Sequence, residues 1–190
     1  MDVSPGALLR DLWLIIVAVW LVGALFTKRT VRREPLGYTL VQRVLAVSAY
    51  MLLLWNRIPI PWLHWRFVRQ GLTWGYAGVA VTAMGIGLAI WARLLLGGNW
   101  SANVTVKESH ELIQTGPYRF VRHPIYSGVS LAVAGTALAM GEVRGVLALA
   151  FALAAWRVKW PVEERFMIEQ FGDRYVEYRQ RVRAIIPGVW

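Results

Sequence analysis

Residues 116–128, Gly-Pro-Tyr-Arg-Phe-Val-Arg-His-Pro-Ile-Tyr-Ser-Gly, gather Tyr118, Arg119, Arg122, His123 and Tyr126 in one polar stretch between apolar runs. Pro124 disfavours helical backbone at His123 and suits the first turn of a following helix. The unpaired N–H groups and positive dipole end of that turn offer an anion site. Arg122 adds a planar fork able to grip a carboxylate. Contact with lipid phosphates explains Arg119, Arg122 and His123 equally well, because interfacial basic residues commonly anchor a chain to the bilayer.

Glu163 and Glu164 are the second feature, two adjacent carboxylates just past an apolar run. Acidic residues do little for membrane topology. Beside Pro161 they are expected in the first turn of a helix, where the dipole favours negative charge, or else they belong to a site. Tyr175 and Tyr178 suit packing or an interface, His110 a solvated loop, and His64, flanked by Trp62 and Trp65, an aromatic belt. With three scattered His and no Cys, neither a metal site nor a disulfide framework is expected. The chain holds no Ser/His/Asp spacing, GxGxxG or phosphate-cradling loop.

The elements that would position these residues read as membrane helices. Of 190 residues, 57% are hydrophobic and 17% charged, which exceeds the apolar share of soluble domains. The net charge of +10 brackets apolar segments and does not line amphipathic ones, which argues against nucleic acid. Residues 12–26 lack charge and, with 7–9, predict a helix covering roughly 28 Å, read as a retained anchor and not a cleaved signal. Residues 44–55 are short for a span and become adequate only if 38–42 join the helix. Pro59 and Pro61 interrupt residues 57–65. The third span, 72–96, carries Gly75, Gly78, Ala83 and Gly87 for close packing, with Arg93 placed to snorkel. Gly97 and Gly98 end it, and 99–115 is a polar excursion. Residues 125–140 and 146–158 predict a hairpin joined by the charged turn 141–145. Beyond Pro161 an amphipathic tail follows, broken at Gly172 before Asp173 and ended by Pro187.

The expected fold is an all-α integral membrane protein, one domain over 1–190, with about five transmembrane helices. Residues 1–96 supply the first spans. Residues 97–190 form the catalytic half, with the hairpin at 125–158 and the tail at 161–187. Placing the N-terminus outside and the C-terminus in the cytoplasm puts 16 of the 21 Lys and Arg on the cytoplasmic side. The polar stretch and the tail then share one face. Short loops and Ala, Val and Arg usage point to a prokaryotic cytoplasmic membrane.

In order, the blocks Gly-Gly-Asn-Trp-Ser (97–101), 110–128, the hairpin, Glu163-Glu164, and Phe171-Gly-Asp-Arg-Tyr-Val-Glu-Tyr onward to Pro187 resemble the isoprenylcysteine carboxyl methyltransferase family. The resemblance covers about half the chain, residues 97–187. It implies an S-adenosylmethionine-dependent membrane methyltransferase acting on a lipophilic acceptor that enters from the bilayer, such as a prenylated cysteine carboxylate. It further implies that His110, Leu112, Gly116, Tyr118, His123, Pro124 and Tyr126 line the cofactor pocket, and that Glu163, Glu164, Tyr175 and Tyr178 close it. Arg122 and Arg181 would orient substrate or cofactor carboxylates. A carboxylate acceptor needs no general base, whereas an amine would need one, for which Glu164 is nearest. Other readings are a phospholipid or small-molecule methyltransferase, an NADPH-dependent sterol reductase, whose corresponding motif reads RHPNY where this chain has Ile125, and a non-catalytic membrane scaffold.

Overall fold

The computed structural model of the protein describes residues 4–26, 30–33, 36–55, 57–69, 71–99, 105–107 and 112–188. Its helices are α1 (Pro5–Ala24), α2 (Leu36–Leu54), α3 (Leu72–Leu96), α4 (Pro124–Met140), α5 (Val143–Phe171) and α6 (Asp173–Arg181). A short antiparallel ribbon pairs β1 (Thr30–Arg33) with β2 (Thr105–Lys107), Arg33 opposite Thr105. Helices α1, α3 and α5 are long and apolar enough to cross a membrane; α4 and residues 40–54 of α2 are shorter apolar helices. The expected helical membrane architecture is observed, and α2 reaches back to Leu36, so residues 38–42 do join it. Leu14, Ile15, Leu21, Val44, Met84 and Leu94 are exposed around the outside, a surface suited to hydrocarbon as solvent.

Close backbone approach organises the centre. Helix α3 lies along α4, α2 along α5 and α1 along α3. A Cβ added at Gly85 would lie 2.4 Å from the Ala132 nitrogen, and one at Gly128 2.6 Å from the Gly85 carbonyl. Small residues thus let two backbones touch where lipid provides no hydrophobic drive. The contacting stripe runs Gly78, Thr82, Gly85, Ala89 and Ala92, at steps of four and three; of the expected Gly75, Gly78, Ala83 and Gly87, the last two face outward. Buried polar side chains of α1, α3 and α4 pair with one another inside the bundle. The Trp13 indole donates to Thr136 Oγ1 at 3.1 Å, and Thr136 meets Thr82 at 3.2 Å.

Two arginines bind helices together. Arg93 does not snorkel. It is buried and donates to the carbonyls of Gly97 and Gly23, both at 2.8 Å, tying the end of α3 to the end of α1. At the opposite end, the turn between α4 and α5 is shorter than expected, only Gly141 and Glu142, and its charges are buried. Glu142 accepts from Arg66 at 2.6 Å and from Arg144 Nε at 2.7 Å, while His64 Nδ1 lies at 3.3 Å. Arg144 also donates to the carbonyls of Leu52 and Trp55, which fastens α2 to the hairpin turn.

The hairpin and tail boundaries expected at 158 and 161 are not observed as breaks. Helix α5 runs through Pro161 without interruption. A proline inside a helix removes one N–H and crowds the preceding turn, a local cost of about 3 kcal/mol in water. Packing of α5 against α2 and α4 outweighs it, as happens in membrane helices. The break comes later, at Gly172, whose φ of 55° lies in the left-handed region. Asp173 is the first residue of α6 and Gly172 its N-cap, so the helix-ending glycine stands as expected and the N-cap falls one residue earlier.

Candidate active site

The site forms where three chain segments meet. His123 sits at the non-helical position before α4, with Pro124 in the first turn and fully buried. Alongside, the segment after α6 returns as a parallel strap: the Arg122 amide donates to the Arg183 carbonyl at 2.8 Å and the His123 amide to Ala184 at 2.9 Å. Ser127 Oγ donates to the Ile185 carbonyl at 2.5 Å. The amides of Arg122 and His123, just ahead of the first turn of α4, are therefore occupied by the chain itself.

Glu163 and Glu164 lie in the interior of α5 and not in a first turn, so the helix dipole does not account for them. Their partners do. Arg122 Nε and Nη2 reach Glu164 Oε1 at 2.8 and 2.7 Å. Arg122 Nη1 turns the other way, to the carbonyl of Arg179 at 3.2 Å and to that of Val182. His123 places Nε2 3.2 Å from Glu164 and Nδ1 3.5 Å from Glu163. The Tyr126 hydroxyl donates to Glu163 Oε1 at 2.6 Å, and Lys159 Nζ lies 3.7 Å from that oxygen. Arg179 approaches Glu164 Oε2 at 3.8 Å.

Burial opposes a charge on His123, but hydrogen bonds and charge from Glu163 and Glu164 prevail and hold its pKa above the ordinary value. The tyrosines go the same direction for a different reason. Burial raises Tyr118, Tyr175 and Tyr178, with nearby carboxylates adding to it. All three stay protonated, and two donate: Tyr178 to the Tyr118 carbonyl at 2.6 Å, Tyr118 to the Ala92 carbonyl at 3.3 Å. Tyr175 meets Tyr178 edge to face, centroids 5.9 Å apart. A second aromatic layer stacks Trp156 on Tyr126 at 4.3 Å and Tyr126 on His123 at 5.3 Å, with Trp160 beside His123.

The structure brings together Arg122, His123, Pro124, Tyr126, Glu163, Glu164, Tyr118, Tyr175 and Tyr178. Gly116 has φ 57°, and an added Cβ would lie 2.5 Å from Leu95, so backbone geometry explains this glycine. Leu112 is half-buried in irregular chain, and His110 lies outside the described residues. Arg181 is exposed on the last turn of α6. Sequence reasoning missed Lys159, Trp156, Trp160, Arg179 and the strap. Lys159 was within reach, since it stands one helical turn before Glu163. The strap was not, because it contributes backbone carbonyls.

Fold and site together define a helical membrane protein with a paired-carboxylate, basic and aromatic cluster at one end of its bundle. A family model described as phospholipid methyltransferase matches residues 74–174, more than half of the chain, and the chain belongs to that family. Protein-S-isoprenylcysteine O-methyltransferase B of Arabidopsis thaliana is 32% identical over 131 residues, covering 66% of this chain and 62% of that protein. The Homo sapiens protein-S-isoprenylcysteine O-methyltransferase is 28% identical over 160 residues, 81% of this chain and 54% of its own. The solved structure of a eukaryotic intramembrane Ras methyltransferase, an isoprenylcysteine carboxyl methyltransferase, matches with a TM-score of 0.51 and 25% identity, over 84% of this chain and 55% of that one. The chain thus spans about half to three-fifths of the length of these relatives. The resemblance read from the Arg-His-Pro, Glu-Glu and tail blocks is borne out.

Proposed function

We propose that this protein is a membrane methyltransferase that moves the methyl group of S-adenosylmethionine to a lipophilic acceptor bearing a carboxylate, such as a prenylated cysteine. The observation that carries this reading is the meeting of Arg122 and His123 with Glu163 and Glu164 across α4 and α5. The donor set fits the cofactor's groups. Two carboxylates suit an ammonium, the stacked faces of Tyr126 and Trp160 suit a cation or an adenine, and exposed Arg181 suits a carboxylate arriving from water. When bound, S-adenosylmethionine supplies an electrophilic methyl carbon on a sulfonium sulfur.

The residues divide the work. Glu164, fixed by Arg122, and Glu163, fixed by Tyr126, present negative charge without reorganising. Arg122 acts through Glu164 and the tail as a positioning residue. Tyr118 and Tyr178 close the site with hydroxyls already engaged, Tyr175 packs edge to face on Tyr178, and Leu112 and Gly116 lie on the chain leading to it. An ionised acceptor needs alignment and exclusion of water more than a base. We propose that the site lies at the cytoplasmic face, N-terminus outside, on the distribution of Lys and Arg, and that the membrane is a prokaryotic one on the short loops and the Ala, Val and Arg usage.

The test incubates purified protein with methyl-labelled S-adenosylmethionine, membrane lipid extract and a prenylcysteine. The expected product is a lipophilic, base-labile methyl ester. Binding of NADPH without S-adenosylhomocysteine, or absence of any labelled lipophilic product, overturns the reading.

A further inference from the structure

The corner where residues 121–123 pair with 183–185 has two sides, and the site uses only one. Inward, Val121, Ala184 and Ile185 are buried, the last two packed with Tyr126 and Trp160. Outward, the corner presents Arg119, Phe120, Arg183 and Ile186, with Phe120 63% and Ile186 47% exposed. Of the three basic residues that the sequence offers to lipid phosphates, Arg122 and His123 are taken inward by Glu163 and Glu164. Arg119 is not. Neither Arg119 nor Arg183 has a side-chain ion pair among the described residues. Residues 112–128 and 178–188 contain no Asp or Glu, so neither strand of the corner brings a negative charge. The acid nearest along the chain is Glu177, one helical turn before Arg181 on α6.

Depth decides which partner this face meets. Helix α4 has 17 residues, a length of about 25 Å, against about 30 Å of hydrocarbon. Its far end lies beside exposed Trp65, an aromatic suited to the opposite interface, whose carbonyl accepts from the Val143 amide at 3.0 Å. The near end at Pro124 therefore does not rise clear of the bilayer. Arg119 and Phe120, a few residues ahead of it, fall in the headgroup layer, which adds about 5–7 Å on each side. A soluble partner would have to reach among headgroups to cover Phe120. Headgroups themselves supply a boundary that suits Phe120 and Ile186, and phosphates that suit the guanidinium forks of Arg119 and Arg183.

We propose that the outward face of this corner, Arg119, Phe120, Arg183 and Ile186, is a binding surface for anionic phospholipid headgroups, on the reverse of the strap that closes the site. The proposal goes beyond the methyltransferase reading, and its test needs no turnover. A fluorophore is attached at Pro187→Cys, in a chain that has no cysteine of its own. The protein is placed in phosphatidylcholine nanodiscs holding a trace of spin-labelled phosphatidylglycerol or of spin-labelled phosphatidylcholine, matched in acyl chains and label position. Quenching reports which lipid stands beside the strap. The labelled but otherwise unaltered chain is expected to favour phosphatidylglycerol about tenfold or more, at about fivefold for each arginine near an anionic surface. Arg119→Gln combined with Arg183→Gln should bring the two lipids within about twofold of each other, and Arg119→Lys combined with Arg183→Lys should keep most of the preference. Salt at about 1 M, where the screening length is about 3 Å, should reduce it in the unaltered chain, an arm that holds even where the glutamine pair fails to fold. Equal quenching by the two lipids, a preference that survives the glutamine pair, or one that ignores salt overturns the proposal.

Discussion

Arg122 directs two of its guanidinium nitrogens to a single oxygen, Glu164 Oε1, at 2.8 and 2.7 Å, while the third serves carbonyls at the end of α6. One side chain thereby joins the start of α4, the middle of α5 and the tail. Removing one partner of a buried ion pair leaves the other charge uncompensated, at a cost of about 3 kcal/mol or more. Arg122→Ala is expected to lower thermal stability by that scale in a detergent melt. Arg122→Lys should recover only part of it, since a point charge cannot reach both the carboxylate and the carbonyls. An alanine variant that melts like wild type would remove Arg122 from this role.

Glu164→Gln keeps the shape and can still accept from Arg122, but it loses the negative charge. S-adenosylhomocysteine affinity should fall about tenfold to a hundredfold while the melting profile keeps its cooperativity. Calorimetry on the folded variant decides this, and unchanged affinity would remove Glu164 from the cofactor's contacts.

His123 makes stability depend on pH with a definite sign. Its folded-state pKa is raised, so the folded chain holds this proton more tightly than the unfolded chain does. The resulting stability is complete below about pH 6.5, the ordinary histidine value, and is lost as pH rises through the folded-state pKa. Melting temperature should decline above about pH 6.5 in wild type and stay flatter in His123→Gln. A wild-type profile that rises over that range would contradict the two-carboxylate contact.

Glu142 provides a control at the other end of the bundle. Glu142→Ala leaves Arg144 buried without its carboxylate and removes one partner of Arg66, which keeps the Met140 carbonyl. Stability should fall by roughly 3 kcal/mol while S-adenosylhomocysteine affinity of the folded fraction is unchanged. A large affinity loss would mean that the clamp and the site are coupled.

Much of this was legible residue by residue. Pro124 after His123 predicted the start of α4, and Gly172 predicted the end of α5, because proline and glycine act through local backbone sterics. Pro161 obeys the same sterics and misled, because its cost is small beside the packing of a long helix on two neighbours. Arg93 misled as well: position near a helix end suggests snorkelling, yet the carbonyls of Gly23 and Gly97 are better partners than lipid headgroups at that point.

The order and spacing of residues determined that the chain makes apolar helices and that α4 starts at Pro124 and α5 ends at Gly172, since periodicity and turn chemistry are local. Only the tertiary structure decided that Arg122 clasps Glu164 and not a ligand, that residues 183–185 occupy the backbone beside His123, and that Lys159 is buried. Those facts depend on which helix face meets which, a choice made by the fit of Gly85 against Gly128 and not by any nearest neighbour along the chain.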